Sequence, residues 1–466
     1  MNENVENNKK IAKAGIGYTI GNYLIKGLSF LTIPIFTHIL TTEDYGLYST
    51  YIAYESIACS LIGLALHTSL KNAKYKYEDR YISYVSSIIL LDFLSTIIWV
   101  VLVLFFSKTI CIILNFNIYI LVALVLHCGC SSILSIFNVH LSLTYSYKPY
   151  IFIALFNAIA NIFFSIIFVF TIFEAKRYIG RIIGTLVPLV LITILIVYKV
   201  WKKSKPTFNR DYWKFGLTYS MPLIPHAISQ VILNQFDRIM ITRICGISNA
   251  GIYSFAYNVY TIIEVTKNSL DNVWGPLFYD KYKKKEYSYL RKSSTIYATG
   301  MLIFNIIVML ISPELIKLLG SIEYRDAIYV VIPICAAGYF SFLYTIPAQI
   351  EYYYGKTSYI AFTTAIAALV NILLNAIFIY KYGYIAAAYT TEVTYLLCFL
   401  LHFFVAKKID GNNIFDSKII YLLIIICALF SFISIILIEF LYIRVTIILI
   451  MLISMFFYLR ENKHIV

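Results

Sequence analysis

The chain has 466 residues, 60% of them hydrophobic and only 13% charged, which is too apolar for a soluble globule. Its net charge of +14 does not describe a nucleic-acid surface, because a basic nucleic-acid binder gathers its charge on one solvated face, whereas here it sits in short connections between apolar runs. The eight cysteines (59, 111, 128, 130, 245, 335, 398 and 427) lie in or at the ends of those runs, and Cys128-Gly129-Cys130 lacks the gap and second pair of a zinc site. They read as packing residues, and no metal or cofactor is expected.

At roughly 20 to 25 residues per span, the apolar runs predict fourteen membrane helices over 14–39, 45–69, 82–106, 118–143, 150–173, 178–199, 215–242, 249–272, 294–318, 327–350, 358–380, 384–405, 418–438 and 441–459. The runs are continuous rather than alternating, so a transmembrane β-barrel is rejected and the class is an all-α polytopic membrane protein. Residues 1–13 read as a polar cytoplasmic tail, and the long run after them as an uncleaved anchor rather than a signal peptide. Lysine and arginine resist translocation, so their distribution sets orientation. With the N-terminus inside, 26 of the 38 basic residues fall in inside segments, eight (Lys108, Lys176, Arg177, Arg243, Lys317, Arg325, Lys381 and Arg444) in outside connections, and four (Lys26, Arg181, Arg238 and Lys267) within spans. Both termini are therefore expected on the cytoplasmic side. The two most basic connections, 199–214 and 279–292, read as topology signals that contact lipid headgroups.

A weak repeat divides the chain. Tyr45-Gly46-Leu47-Tyr48-Ser49 opens the second span and Ala250-Gly251-Ile252-Tyr253-Ser254 the eighth. Tyr145-Ser146-Tyr147-Lys148 with Asn161, and Tyr352-Tyr353-Tyr354-Gly355-Lys356 with Asn371, stand at the fifth and eleventh. An offset of six helices preserves orientation, so two six-helix lobes related by a pseudo-twofold along the membrane normal are expected, with the substrate path between them. The lobes would be 14–199 and 215–405, joined by a cytoplasmic linker at 200–214 and followed by two appended helices over 418–459.

A charge near the middle of a span costs about 2.5–3.5 kcal/mol on insertion scales and should face protein or water. In the first span Thr19, Asn22, Lys26 and Ser29 share one helical face, and in the seventh His226, Gln230, Asn234 and Asp237 do the same, with Arg238 alongside. The eighth span carries Tyr257, Tyr260, Glu264, Lys267 and Asp271 on one face. Either its three charges neutralise one another as an intrahelical ladder, or Glu264 or Asp271 binds a coupling ion while Lys267 meets an anionic substrate. Glu55, Asp92 and Glu392 are lone acids, open between a cavity role and a packed hydrogen bond. The lone histidines 38, 67, 127 and 402 read as packing or interface residues. Pro34, Pro188, Pro222 and Pro225 are expected to kink their helices.

Taken in order, Tyr219-Ser220-Met221-Pro222-Leu223-Ile224-Pro225-His226, Phe236-Asp237-Arg238, Gly251-Ile252-Tyr253-Ser254, Ser312-Pro313-Glu314-Leu315, Tyr324-Arg325-Asp326-Ala327, Gly355-Lys356-Thr357, Asn371 with Asn375, and Tyr382-Gly383 resemble the polysaccharide biosynthesis (O-antigen flippase) branch of the multidrug/oligosaccharidyl-lipid/polysaccharide exporter superfamily. Tyr178-Ile179-Gly180-Arg181-Ile182-Ile183-Gly184 fits the same pattern, and the resemblance covers roughly residues 10–405. It implies a flippase that moves undecaprenyl-diphosphate-linked oligosaccharide across the bacterial cytoplasmic membrane by alternating access, and is not an enzyme. Its implied partners are the lipid-linked oligosaccharide, membrane lipids, a coupling H⁺ or Na⁺, and the polymerase and glycosyltransferases of the same pathway. Lys26, Arg181, Arg238 and Lys267 are then the cations for the diphosphate. The mixture of acids and bases departs from the arginine-rich cavity of lipid II flippases and argues against that substrate. A drug or metabolite antiporter of the same superfamily, and a membrane polymerase or acyltransferase, are the alternatives.

The orientation is checked by labelling single cysteines introduced at Ile112 and Lys205 into a cysteine-free background. An impermeant reagent applied from outside should modify position 112 and spare 205; modification of 205 would reverse the topology.

Overall fold

A helix follows each predicted span in order, and no strand occurs among the described residues. The computed structural model describes residues 30–411 and 414–461, together with 21, 24 and 26–28. The helices that answer to the predicted spans are α1 (Ile33–Ile39), α2 (Thr42–Ile62), α3 (Tyr81–Phe105), α4 (Ile118–Leu143), α5 (Tyr147–Thr171), α6 (Arg177–Lys203), α7 (Ile224–Ile244), α8 (Ile247–Lys283), α9 (Tyr287–Leu319), α10 (Ala327–Leu343, continued by Thr345–Tyr353), α11 (Thr357–Tyr382), α12 (Ala386–Ile409), α13 (Ser417–Ile436) and α14 (Leu441–Glu461), with shorter helices at Leu70–Tyr77, Ser107–Leu114 and Arg210–Ser220 between them. Of the described helices, α3–α6 and α9–α13 are each long and apolar enough to cross a membrane unaided. The more polar helices α2, α7 and α8 stand at the start of the two halves of the repeat. That asymmetry has a physical reason: a helix carrying charges needs protein or water beside it, while a helix facing hydrocarbon does not.

Local boundaries follow side-chain chemistry. Asn117 caps α4 by accepting the Ile120 amide at 3.0 Å, and Asp416 caps α13 through the Ile419 amide at 3.2 Å. Pro222 and Pro225 break the seventh span as expected. A helix over Arg210–Ser220 passes through a 3₁₀ turn at Met221–Leu223 into α7, whereas Pro188 leaves α6 continuous. The eighth span extends further than predicted, to Lys283. At its end Lys281 pairs with Glu286 at 2.7 Å across the turn into α9, and that carboxylate holds the ammonium above its ordinary range.

The chain divides into two compact units, Met1–Ile35 with Leu47–Gln235, and Phe36–Gly46 with Phe236–Val466. In the first, Tyr84, Ile88, Ile136 and Ile196 join α3, α4 and α6 in one core, and Tyr51, Leu121, Val125 and Ile182 join α2, α4 and α6 in another. In the second, α10 is the hub, with every residue from 330 to 343 buried, as an all-round apolar helix requires. Arg444, expected in an outside connection, is instead buried at the start of α14. Its Nη2 donates to Glu314 Oε1 at 2.6 Å and its Nη1 to the Leu310 carbonyl at 2.5 Å. Glu314 lies 130 residues away on α9, so linear spacing gives no sign of the pair.

Within the second unit the two repeat motifs cross. A Cβ on Gly46 would stand 2.0 Å from the Ile247 carbonyl oxygen, and a Cβ on Gly251 would stand 2.0 Å from the Thr42 carbonyl oxygen. Thr42 precedes Gly46 by four residues, as Ile247 precedes Gly251, so the contact is reciprocal and locally twofold. The segment around it is fastened by Thr37 Oγ1 donating to the Leu319 carbonyl at 2.6 Å and Tyr324 OH donating to the Leu40 carbonyl at 3.1 Å.

Gly46→Ala and Gly251→Ala should each destabilise the protein by about 1–3 kcal/mol through overpacking, read as a lowered unfolding temperature in detergent. Gly300, in mid-helix with open space around it, supplies the control: Gly300→Ala should be neutral or stabilising. Equal behaviour of all three variants would contradict the close crossing.

Candidate functional site: buried polar clusters in each unit

In the second unit the seventh-span stripe ends in a fully enclosed carboxylate. Asp237, 0% exposed, accepts the Tyr253 hydroxyl at 2.7 Å on Oδ2 and Asn375 Nδ2 at 2.6 Å on Oδ1, with Thr391 Oγ1 at 3.0 Å from Oδ2. Asn375 Nδ2 also reaches Asn371 Oδ1 at 3.1 Å, one turn away on α11, and Asn375 Oδ1 accepts the Thr390 hydroxyl. Four helices, α7, α8, α11 and α12, thus meet at one carboxylate through neutral groups. The adjacent Arg238 lies with its guanidinium carbon 4.3 Å from the centroid of the Tyr257 ring. Chemically, Asp237 with the side-chain oxygens of Asn371, Asn375, Thr390 and Thr391 offers a hard-ligand set of the kind that suits a small cation or an exchangeable proton.

Further along α8, Lys267 Nζ donates to Ser341 Oγ at 2.8 Å and lies 5.5 Å from the Tyr344 ring centroid, while Asp271 Oδ1 accepts Thr345 Oγ1 at 2.6 Å. Among the described residues no carboxylate is within ion-pair distance of Lys267, although Asp271 and Glu264 on the same helix are its acidic neighbours. α10 and the short helix after it supply the hydrogen-bond partners. Glu264 is half-buried on the same helix, and Glu392 on α12 is half-buried with Ser431 of α13 as its polar neighbour.

In the first unit Arg181 Nη1 donates to Asn161 Oδ1 at 2.7 Å and to Ser165 Oγ at 2.8 Å, and its guanidinium carbon lies 5.1 Å from the Tyr48 ring centroid. The Gly-Arg-x-x-Gly pattern creates this arrangement. A Cβ on Gly184 would meet Ser165 Cα at 2.4 Å, so glycine lets α6 lie against α5 closely enough for Arg181 to reach it. Asp92 is buried and accepts Ser132 Oγ at 2.7 Å. Glu55 accepts the Cys59 thiol at 3.3 Å, and with Cys128 these are three metal-ligating side chains whose ligand atoms lie within 4.8 Å of one another. Asn234 Nδ2 donates to the Gln230 carbonyl at 2.8 Å, and both residues are half-buried. Lys26 is helical and exposed; Asn22, Thr19, Ser29, the 1–13 tail and the His226 side chain lie outside the described residues.

His402, expected as a packing or interface residue, is a hydrogen-bonded core residue. Its Nδ1 lies 2.8 Å from Glu351 Oε1 and its Nε2 3.1 Å from Thr363 Oγ1, with both His402 and Glu351 fully buried. Glu351, Thr363, Tyr253, Asn375, Thr390 and Thr391 were not singled out as site residues from sequence. Asn371 and Asn375 carried the one visible signal, two asparagines a turn apart in an apolar run.

Comparison with known proteins adds the following. A family model described as polysaccharide biosynthesis protein matches residues 11–281. An Lsg locus protein of Haemophilus influenzae is 23% identical over 391 residues, covering 78% of this chain and 90% of that protein. Among solved structures, the lipid II flippase MurJ in an inward closed conformation is similar with a TM-score of 0.73 at 17% identity, covering 96% of this chain and 100% of that one. An inward-facing multidrug resistance MATE family transporter of the MOP superfamily is similar with a TM-score of 0.63 at 13% identity, covering 83% and 96%. The structural likenesses establish a shared fold.

Proposed function

Since the chain belongs to the polysaccharide biosynthesis protein family, we propose that this multi-pass membrane protein is a flippase for an undecaprenyl-diphosphate-linked oligosaccharide, the repeat unit of O-antigen, capsule or another surface polysaccharide. It carries the headgroup from the cytoplasmic to the outer leaflet of the bacterial cytoplasmic membrane by alternating access, with both termini cytoplasmic. Unassisted passage would strip water from a large polar headgroup in hydrocarbon; a polar route through the protein removes that cost while the prenyl tail stays in lipid.

The observation that carries this reading is Lys267. Its nitrogen donates to a serine hydroxyl and, among the described residues, to no carboxylate, and although Asp271 and Glu264 are its acidic neighbours, its remaining N–H donors suit an anion such as a diphosphate or an acidic sugar. Lys26, Arg181 and Arg238 are assigned the same kind of contact at other stages, with Asn22, Gln230 and Asn234 as neutral hydrogen-bonding groups. Asp237 is assigned the coupling H⁺ or Na⁺, because its neighbours are oxygen donors and amides. Glu55, Asp92, Glu264, Asp271 and Glu392 remain secondary candidates for that ion.

A drug or metabolite antiporter is the second reading, favoured by the fold shared with the MATE transporter. The two are separated in a deletion strain complemented at matched protein levels. Lys267→Met should abolish surface polysaccharide and leave drug tolerance unchanged, with Lys267→Arg restoring part of the polymer. Normal polymer with Lys267→Met would overturn the assignment of this residue, and altered drug tolerance with intact polymer in the deletion would favour the antiporter.

A further inference from the structure

The first unit has a recess of about 510 Å³ where α4 and α6 end, lined among others by Glu78, Asp79, Tyr81, His140, Lys199 and Lys203. A second hollow of about 370 Å³ shares Phe137, Pro149 and Lys199 with it and is otherwise apolar, running over Phe152, Phe156 and Leu195. Those three side chains are exposed on the surfaces of α5 and α6. The two spaces together form a polar mouth that continues into an apolar groove along helices of membrane-spanning length.

The mouth is built but unfilled by the protein's own groups. Glu78, Asp79, Lys199 and Lys203 make no side-chain hydrogen bond or ion pair among the described residues. Two acids and two lysines thus line one recess, exposed and with no ion pair between them. The Tyr81 hydroxyl and His140 Nδ1 are buried and likewise unpartnered, although their rings stack at 5.6 Å. Both side chains line the recess, and buried polar atoms are nearly always satisfied in folded proteins. Neighbouring cations are already committed: Lys74 Nζ donates to the Leu143 carbonyl, and Lys202 lies over the Tyr198 ring.

We propose that this recess binds an aminophospholipid of the surrounding bilayer, with its phosphate at Lys199, Lys203 and the Tyr81 hydroxyl, its primary ammonium at Glu78 and Asp79, and an acyl chain in the groove over Phe152, Phe156 and Leu195. The headgroup must carry both signs, because an anionic lipid leaves the acids unmatched. It must carry a primary amine, because a quaternary ammonium has no N–H to give a carboxylate. The tail requirement follows from the groove, which is apolar and opens along the lipid-length helices.

The test uses the full-length protein in detergent, exposed to equimolar dioleoyl phosphatidylethanolamine, phosphatidylglycerol and phosphatidylcholine, with bound lipid counted by native mass spectrometry. Phosphatidylethanolamine should be retained about tenfold over phosphatidylcholine, the effect expected from one charge-assisted hydrogen bond. Glu78→Gln with Asp79→Asn should erase that preference and spare phosphatidylglycerol, while Lys199→Gln with Lys203→Gln should lower retention of all three lipids. Leu195→Trp, which fills the groove, should lower lipid retention with an unchanged gel-filtration profile. Equal retention of the three lipids by the wild type, a preference for phosphatidylglycerol, or an ethanolamine preference that survives loss of both acids would each overturn the proposal. The wild-type comparison stands even if a variant fails to fold. Because nothing in the assay reads transport, failure here is distinct from failure of the flippase reading.

Discussion

Hydrocarbon offers no water to a polar group, so every donor, acceptor and charge inside these helices has to be answered by the protein or by what it carries. Asp237 shows how far that constraint reaches. Its carboxylate is satisfied only because Tyr253, Asn375 and Thr391 arrive from three different helices, and Asn375 is held in turn by Asn371 and Thr390. Removing one partner of a buried charge leaves the rest uncompensated, which costs more than the pair itself contributes. The meeting of α7, α8, α11 and α12 therefore follows from one acid.

The same constraint explains which helices are polar and why glycine appears where it does. Charges cluster on α2, α7 and α8, while α10, buried on all sides, carries none between 330 and 343. Glycine at 46 and 251 brings two backbones into contact, and glycine at 180 and 184 brings α6 against α5, so that Arg181 finds Asn161 and Ser165 rather than lipid. Close packing and polar satisfaction are here one requirement. Arg444 with Glu314 repeats the principle at the C-terminal end, fixing α14 to α9.

Much of this architecture is legible in the amino-acid order, for definite reasons. Continuous apolar runs mark α3–α6 and α9–α13 because hydrocarbon thickness fixes their length, and Pro222 and Pro225 mark the break before α7 because proline removes backbone donors. Asp237, Arg238, Lys267 and Arg181 stand out because charge is costly at that depth. Their partners do not stand out. Asn375 lies 138 residues from Asp237, and Glu351 lies 51 from His402, distances at which periodicity carries no pairing information. Spacing on α8 places Lys267 beside Glu264 and Asp271, but it gives no sign of Ser341 and Thr345, which supply the hydrogen bonds from elsewhere in the chain. Helix periodicity gives the face of a residue, and tertiary packing decides its neighbour.

The reading of these clusters as a transport machine places the anion with Lys267 and the coupling ion with Asp237. Its most direct test is transport by the purified protein in liposomes, using an undecaprenyl-diphosphate oligosaccharide with a fluorescent sugar and a membrane-impermeant quencher outside. The account predicts that the protein raises the quenchable fraction above that of protein-free liposomes, that an imposed H⁺ or Na⁺ gradient speeds the change, and that Asp237→Asn abolishes the gradient effect. A quenchable fraction equal to that of protein-free liposomes under every gradient would contradict it.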